Sequence, residues 1–336
     1  MFLKSFKIIL IICFLFALII ISAGMGYMEI PPSIVFKVIC SKIMGREDFI
    51  SNIKKIYSVV IIDVRLPRIL TASIVGGGLA VAGSVFQGIL LNPLSDPYTL
   101  GVSSGAAFGA SIALLFNISF LGINSVELSA FIFSLITLFF VIYLSSNAGG
   151  LSSNSLILAG IIVTSILSAG ISFIKYLADE KVGVIIFWLM GSFESKTWRD
   201  VAVTSFFVAI GFMISLFFSR ELNLLSLGDK VASSLGVDTN KIVLILLITS
   251  SLISAVCVSV SGIIGFVGLL VPHMTRALIG PDNRKLIPFS MLFGAILLLT
   301  ADTIIRAFLP HEIPIGVLTA LIGGPVFCYI FRRQAF

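Results

Sequence analysis

Three arginines stand at the edges of long apolar runs, where few charged residues are expected. Two of them, Arg65 and Arg68, lie three residues apart in the stretch "RLPRIL". The third, Arg306, follows Asp302 by four residues, the spacing of an ordinary ion pair on a helix. A guanidinium can bind a carboxylate or a phosphate, and arginines that flank an apolar run commonly anchor it at lipid headgroups. From these residues alone, headgroup anchoring is the favoured interpretation of Arg65 and Arg68.

The patterns of common enzymes and metal sites are missing from the sequence. It has no Gly-x4-Gly-Lys-Ser/Thr phosphate loop, no HExxH motif and no GxSxG motif. The two histidines, His273 and His311, stand far apart, and each is expected to be a hydrogen-bonded structural residue. The cysteines form no CxxC pair and are expected to be small buried apolar residues: Cys13, Cys40, Cys257 and Cys328. We therefore expect no enzyme activity, no cofactor and no metal site, so active transport would need an ion gradient or a separate ATPase.

The composition is typical of a chain that crosses a membrane many times. Of the 336 residues, 58% are hydrophobic and 11% are charged, whereas a soluble domain usually carries about 25% charged residues. The apolar residues are grouped in runs of roughly 20, the length that crosses a hydrocarbon core of about 30 Å. The net charge of +6 suits an anionic membrane surface better than nucleic acid. We expect an all-α polytopic membrane protein with one transmembrane domain over residues 1–336.

Ten membrane spans are predicted from these runs. They lie near residues 8–28, 69–91, 98–116, 127–146, 155–177, 200–219, 242–261, 264–280, 287–307 and 314–331. The first run follows Lys4 and Lys7 and ends in "SAG", as a signal peptide would, but the many spans behind it favour a signal-anchor helix. An even number of spans places both termini on the same side of the membrane.

The positive charges near the two termini predict that both lie in the cytoplasm. Lys4 and Lys7 precede the first span, and Arg332 and Arg333 follow the last. The total count of Lys and Arg shows no bias to the inside, because a basic segment at residues 29–68 falls outside in this arrangement. That segment holds seven of the 22 basic residues: Lys37, Lys42, Arg46, Lys54, Lys55, Arg65 and Arg68.

Glycine and proline interrupt several spans. They occur at Gly76–Gly78 and Gly83, in "NPLSDPYTLG" after the second span, in "SGIIGFVGLLVPHMTR" and in "GGPVF" of the last span. Small residues let helices approach closely in lipid, which is the structural interpretation. Breaks at Pro93, Pro97 and Pro272 expose backbone polar groups, which are tolerated only against protein or a water-filled path. A transport pathway is therefore the functional interpretation.

The predicted inner loop at residues 220–241 has a pattern of its own. Its apolar residues recur at helical spacing around two glycines: Leu224, Leu225 and Leu227 before Gly228, then Val231, Ala232 and Leu235 before Gly236. The pattern predicts two short amphipathic helices separated by a glycine. They would either lie on the lipid surface or form a docking surface for a soluble ATPase.

Several motifs together resemble the FecCD family of ABC importer permeases. The likeness runs in order from about residue 60 to the C-terminus, whereas residues 29–60 match no motif. The motifs are "RLPRIL", "GGGLAVAGSVFQGILLNPLSDPYTLG", "SSGAAFGA", "LAG", "WLMGSF", "LLSLGDKVASSLGV", "GIIGFVGLLVPHMTRALIGPDNRKLIP", "AD" with Arg306, and "EIPIGVLTALIGGPVF".

The resemblance implies the architecture of a type II ABC importer permease in the cell membrane. Such a protein has ten transmembrane helices with broken or re-entrant segments and forms a homodimer around one central path. Two ATP-binding cassette subunits would bind the 220–241 loop from the cytoplasm, and an extracytoplasmic solute-binding protein would dock outside. The resemblance further implies that Arg65, Arg68 and Arg306 bind acidic residues of that binding protein.

The resemblance also implies an inner gate. The matching positions are Asn92 and Leu94 after the second span, and Ser153 and Asn154 before the fifth. Asn154 stands where the family pattern has serine, so the chemistry of the gate differs at that position.

The family carries ferric siderophores, haem, cobalamin, and in some branches molybdate or tungstate. Iron-complex import is the default expectation, with cobalamin or molybdate/tungstate as alternatives. A secondary transporter driven by Na⁺ or H⁺ is the rival class, and it would usually place an ionisable residue at mid-membrane. Asp302 and Lys175 lie nearer the ends of their spans.

Overall fold

A computed structural model describes residues 2–45, 53–118, 125–147, 150–309 and 312–334. These residues form fifteen α-helices and one pair of two-residue strands. The helices are α1 (Phe2–Gly24), α2 (Pro32–Met44), α3 (Lys55–Val59), α4 (Leu66–Ile89), α5 (Val102–Phe116), α6 (Ser125–Ser145), α7 (Ser153–Leu177), α8 (Val182–Leu189), α9 (Trp198–Phe217), α10 (Ser219–Leu225), α11 (Asp229–Ser234), α12 (Thr239–Ser261), α13 (Val267–Ile279), α14 (Asn283–Phe308) and α15 (Ile315–Gln334). Strands β1 (Ser146–Asn147) and β2 (Gly150–Leu151) pair antiparallel between α6 and α7.

Ten apolar helices coincide with the ten predicted spans. Six of them are long and apolar enough to cross a membrane by length and composition: Lys55–Ile89, Val126–Ser145, Ser153–Leu177, Trp198–Phe217, Thr239–Ser261 and Asn283–Phe308. Four are shorter: Ile9–Gly24, Val102–Phe116, Val267–Ile279 and Ile315–Ile330. The prediction of an all-helical polytopic membrane protein is confirmed.

Helix α4 forms the centre of the bundle and is buried along most of its length. It packs most extensively on α14, and also on α9, α12 and α13. A Cβ atom on Gly76 would collide with the backbone of Gly294, and a Cβ on Gly294 would collide with the backbone of Gly76. A Cβ on Gly83 would likewise meet the backbone of Gly268. The glycines of this span therefore allow backbone-to-backbone contact, as the structural interpretation expected.

The second span begins earlier than its hydropathy predicts. The helix runs without a break from Lys55, whereas the apolar run begins at residue 69. A π-helical turn occupies Val60–Arg65, directly before Pro67. Proline lacks an N–H and its ring crowds the carbonyl four residues earlier, and a widened turn relieves both problems. The "RLPR" motif thus lies inside a continuous helix and not at its N-terminal end.

Irregular backbone follows α4 and precedes α13, where breaks were predicted. The predicted breaks at Pro272 and in "GGPVF" are wrong, because α13 and α15 continue through Pro272 and Pro325. Ser192 donates to Ser261, and Gly191 and Met190 accept from Ile315 and Gly316. The Tyr98 hydroxyl donates to the carbonyl of Ile264. The distances are 2.8 Å for Ser192 N to Ser261 O, 3.0 Å for Ile315 N to Gly191 O, 3.0 Å for Gly316 N to Met190 O, and 2.9 Å for Tyr98 Oη to Ile264 O. Protein partners therefore satisfy backbone groups that have left the helices, as burial in an apolar medium requires.

The bundle has two ends with different side chains. The arginine end contains Arg65, Arg68 and Arg306, and the loop end contains α10 and α11. Helix α14 runs from the loop end, at Asn283, to the arginine end, at Phe308. This helix therefore connects the two regions that the sequence singled out.

Candidate functional site

The structure brings the three predicted arginines into one cluster. Arg65 ends the π-helical turn, Arg68 lies in the first turn of α4, and Arg306 lies in the last turn of α14. The contact of α4 with α14 at their glycines holds these helix ends side by side. Gly26 lies over the cluster, since a Cβ atom there would be 3.1 Å from Nη2 of Arg65 and 3.7 Å from Nη1 of Arg306.

Asp302 is the buried carboxylate of this cluster. Its side chain is 1% exposed, and its Oδ1 lies 3.0 Å from both Nε and Nη2 of Arg68. Its Oδ2 lies 3.7 Å from Nε of Arg306, which is an ion pair but too long for a hydrogen bond. One carboxylate therefore neutralises the facing sides of two guanidinium groups.

Glu312 supplies a second carboxylate to Arg68. The Nη1 atom of Arg68 donates to both oxygens of Glu312, at 2.8 and 2.9 Å. The Glu312 side chain is 34% exposed, whereas that of Arg68 is 11% exposed. Arg68 is thus held between an interior carboxylate and one at the surface. Sequence reasoning missed Glu312, because the two residues are far apart in the chain and no local pattern joins them.

Arg65 and Arg306 hold the end of α1 and the connector that follows it. Arg65 donates from Nη1 to the carbonyl of Ala23 at 2.7 Å and from Nη2 to that of Met28 at 2.6 Å. Arg306 donates to two carbonyls of residues 22–25, at 2.9 and 3.0 Å, and to the Ser22 hydroxyl. Cations at a helix C-terminus satisfy its last carbonyl groups and oppose its dipole. Sequence reasoning missed this role, since a backbone carbonyl carries no residue signature.

The loop end contains the predicted pair of short helices. Helices α10 and α11 flank Gly228, whose φ of 98° lies in the left-handed region, as does that of Gly236 at 87°. The apolar residues divide between two faces. Leu225 and Ala232 are buried against the bundle and Leu224 is partly buried. The other face exposes Leu227 at 61%, Val231 at 44% and Leu235 at 57%.

These exposed residues form an apolar stripe, which we define as Leu227, Val231 and Leu235. Val231 lies in α11 and Leu235 directly follows it, four residues on, so these two share one side of the helix; Leu227 precedes α11 across Gly228. The buried residues fix the loop on the bundle, and the stripe contributes nothing to that packing. The loop thus presents an exposed apolar surface at the loop end.

The predicted gate residues also lie at the loop end. Ser153 begins α7 and donates from Oγ to the carbonyl of Ile89, in the last turn of α4, at 3.2 Å. Asn92 follows α4 and accepts from the backbone N–H of Leu94 at 2.9 Å. Leu94 is 45% exposed and Asn154 is exposed. The ends of α4 and α7 thus bring these four positions into one region.

Among the described residues, no group of three or more His, Cys, Asp or Glu side chains could hold a metal ion. His273 is buried, and the positive charge of Arg276 lies on the same helix, α13. His311 lies outside the described residues.

The loop end has one further polar cluster that the sequence did not indicate. Asp282 caps α14 and binds Asn223 of α10 at 2.9 Å and the backbone N–H of Arg284 at 3.1 Å. Burial acts to raise the pKa of Asp282. The hydrogen bonds from Asn223 and Arg284, with the nearby Lys285, outweigh burial and hold that pKa below its usual value.

Comparison with known proteins agrees with this architecture. The FecCD transport family matches residues 11–333. The cobalamin import system permease BtuC of Halobacterium salinarum is 39% identical over 82% of this chain and 74% of its own length. The molybdate import system permease MolB of Haemophilus influenzae is 39% identical over 92% of this chain and 90% of its own.

A solved structure has the same fold over nearly the full length. It is described as an inward-facing metal-chelate type ABC transporter, and it matches with a TM-score of 0.86 and 35% identity over 98% of this chain and 99% of its own. The family match, the two permease relatives and this structure lead to one conclusion. The chain belongs to the FecCD transport family and is a multi-pass membrane permease of the ABC transporter class.

Proposed function

We propose that this chain is the permease subunit of a binding-protein-dependent ABC importer that moves an iron complex, a siderophore or haem, into the cell. Residues 1–336 act as one permease domain, and two copies form a homodimer around a central path in the cell membrane. Both termini lie in the cytoplasm, on the side of the loop end. The apolar stripe is the observation that carries the proposal, because exposed apolar residues that their own fold does not bury fit a protein partner.

The partner proposed for the stripe is the ATP-binding cassette subunit. Leu227, Val231 and Leu235 would insert into an apolar cleft of the ATPase, while Leu225 and Ala232 keep the loop fixed to the permease. A fixed loop transmits force, whereas a flexible one would absorb it. The stripe could instead lie on lipid. The family membership supports the ATPase.

The partner proposed for the arginine end is the solute-binding protein. The contact between Arg68 and Glu312 supports this, since it demonstrates that a carboxylate can reach this guanidinium from the surface. An acidic residue of the binding protein would replace Glu312. Arg65 and Arg306 are engaged with residues 22–28, so they would take part only if that segment moves. Arg68 is therefore the first contact in this proposal.

Asn92, Leu94, Ser153 and Asn154 are proposed to line the cytoplasmic gate. Their position at the ends of α4 and α7 supports a shared site, because a small shift between these two helices would change the space between them. The hydrogen bond from Ser153 to Ile89 is one contact that such a shift would alter.

The iron complex remains the proposed substrate. Relatives are named for cobalamin and for molybdate, so these are the alternative cargoes. A secondary transporter is disfavoured by the position of the buried ionic groups. Asp302 lies at the arginine end of α14, between two arginines that neutralise it, and not in an open path at mid-membrane.

The test of the stripe is co-purification of the permease with a co-expressed ATP-binding cassette subunit. Leu227→Glu places a charge in the proposed apolar contact, so we expect the ATPase to be lost while the permease remains in the membrane. Ser233→Glu is the matched control, because Ser233 is exposed on the opposite side of α11. Uptake of radiolabelled iron complexes, cobalamin and molybdate then identifies the cargo. Equal ATPase retention by both variants would contradict the proposal.

A further inference from the structure

The side chain of Asn223 joins α10 to the first turn of α14. Its Nδ2 donates to Oδ1 of Asp282 at 2.9 Å. Its Oδ1 accepts from the backbone N–H of Asn283 at 2.9 Å and from Nδ2 of Asn283 at 2.8 Å. Three hydrogen bonds of good length thus connect one amide with two consecutive residues. We call Asn223, Asp282 and Asn283 the amide joint.

The amide joint is a fixed contact. Asn283 is 4% exposed, so its hydrogen bonds are protected from water. Asp282 is also the N-cap of α14, and its carboxylate favours the positive end of the helix dipole. The joint therefore holds the end of α14 itself and not a mobile side chain.

Packing attaches α10 to the bundle independently of the joint. Leu222 is buried and lies where a Cβ atom on Gly88 of α4 would be, and Leu225 is also buried. These contacts place α10 against α4. The hydrogen bonds of Asn223 add polar contacts to Asp282 and Asn283 at the start of α14, which α10 also approaches closely.

Helix α14 continues from the joint to the arginine end. It has 26 residues and a length of about 39 Å at 1.5 Å per residue. Pro288 removes one helical hydrogen bond in its second turn, and beyond it the helix packs along α4. At its far end Asp302 and Arg306 enter the arginine cluster. Helix α14 is therefore a continuous connection between the amide joint and the arginine cluster, along which a displacement of α10 can be transmitted.

We infer that Asn223 is a positioning residue that couples the ATPase-docking loop to α14 and so to the arginine end. The inference rests on the proposed function, since it requires an ATPase on α10 and α11. Movement of the ATPase on ATP binding displaces α10, the amide joint pulls the start of α14, and the arginine end responds.

The test exchanges the roles of the two side chains in the joint. Asn223→Asp removes the donor and places a second carboxylate beside Asp282. Asp282→Asn alone is mild, because the new amide oxygen can still accept from Asn223 and from Arg284. The double variant Asn223→Asp with Asp282→Asn restores a donor and an acceptor with their order reversed. Asn240→Asp, an exposed change in the first turn of α12, is the control.

The reporter is a single cysteine at Phe308, the last residue of α14, which is 70% exposed. The native cysteines are replaced, and the permease is purified with its ATPase. An impermeant maleimide measures the modification rate with ADP and with ATP plus vanadate. Coupling between distant sites typically changes an equilibrium by about 5- to 150-fold, so we expect at least about a fivefold change of rate in the parent.

We expect Asn223→Asp to abolish this nucleotide dependence while the ATPase still binds and traps vanadate. The double variant should recover it, and Asn240→Asp should match the parent. The inference is wrong if Asn223→Asp retains the parent response, if the parent shows no response, or if the double variant fails to recover. It is also wrong if Asn223→Asp loses the ATPase and the double variant does not regain it, since Asn223 would then only maintain the loop. A parent that binds no ATPase would overturn the proposed function itself.

Discussion

Replacing Glu312 by Gln should strengthen the binding of the solute-binding protein. Glu312 holds Nη1 of Arg68, the donor that an incoming carboxylate needs. The internal contact is with a side chain that is 34% exposed, so solvent screens it and it contributes about 0.2–1 kcal/mol. A glutamine at this position is uncharged, so it competes less with an incoming carboxylate for Nη1 of Arg68. Affinity should therefore rise by up to about fivefold, which corresponds to the upper end of that range.

The assay is the dissociation constant of the binding protein for the permease in nanodiscs, measured at several salt concentrations. Arg68→Ala should show the opposite change, and the gain from Glu312→Gln should diminish as salt rises. Glu127→Gln is the matched control, because Glu127 is also a partly exposed carboxylate with a basic partner, Lys196, at 3.8 Å. An unchanged or weaker affinity for Glu312→Gln, with Glu127→Gln also unchanged, would refute the reasoning.

The structure also determines at which arginine a substitution reports on docking alone. Arg65 is 6% exposed and donates to the carbonyls of Ala23 and Met28. A glutamate at this position would face those carbonyl oxygens without a donor in a buried site, which is strongly unfavourable. A double reversal of Arg65 and Arg68 would therefore report on folding as well as on docking, whereas single changes at Arg68 and Glu312 report on docking.

Three other predictions follow from the same contacts. Asp302→Ala leaves two buried guanidinium groups without their shared partner, and breaking a buried pair costs about 3–5 kcal/mol, so the purified permease should unfold at a clearly lower temperature than Glu312→Gln. Gly228→Pro forces a residue with φ of 98° to a negative φ, so the ATPase should be lost on purification although the permease still inserts; full retention would argue against a docking role for the loop. In a cysteine-free background, Lys54→Cys should react with an impermeant thiol reagent from outside the cell and Lys230→Cys should not; the reverse pattern would invert the proposed orientation.

The helical composition and the loop end were predictable because their signals are local. Apolar runs of about 20 residues indicate spans whatever their neighbours are. The glycines at 228 and 236 and the apolar spacing between them predicted α10 and α11, with Gly228 between them as the structure has it. Periodicity could not say which leucines face the bundle, because both faces of so short a helix carry apolar residues.

The arginine cluster was only partly predictable because its partners are non-local. The motif indicated which arginines matter, and the spacing of Asp302 and Arg306 predicted one ion pair, but the other partners are backbone carbonyls at 22–28 and the carboxylate of Glu312. Carbonyl groups are common to every residue, so no sequence pattern reveals them. Hydropathy also misplaced the start of the second span, since Lys55, Asp63 and Arg65 lower the average although the helix continues through them.

The glycine crossing of α4 and α14 has a mechanical consequence. Gly76 and Gly294 bring the backbones of α4 and α14 into direct contact, with the side chains of Leu298 and Ala80 packed beside them. Gly294 lies near the middle of α14, about 16 Å from Asn283 and about 18 Å from Arg306 along the axis. The crossing therefore divides α14 into two arms of nearly equal length. A rotation of α14 about this contact would move its two ends by similar distances in opposite directions.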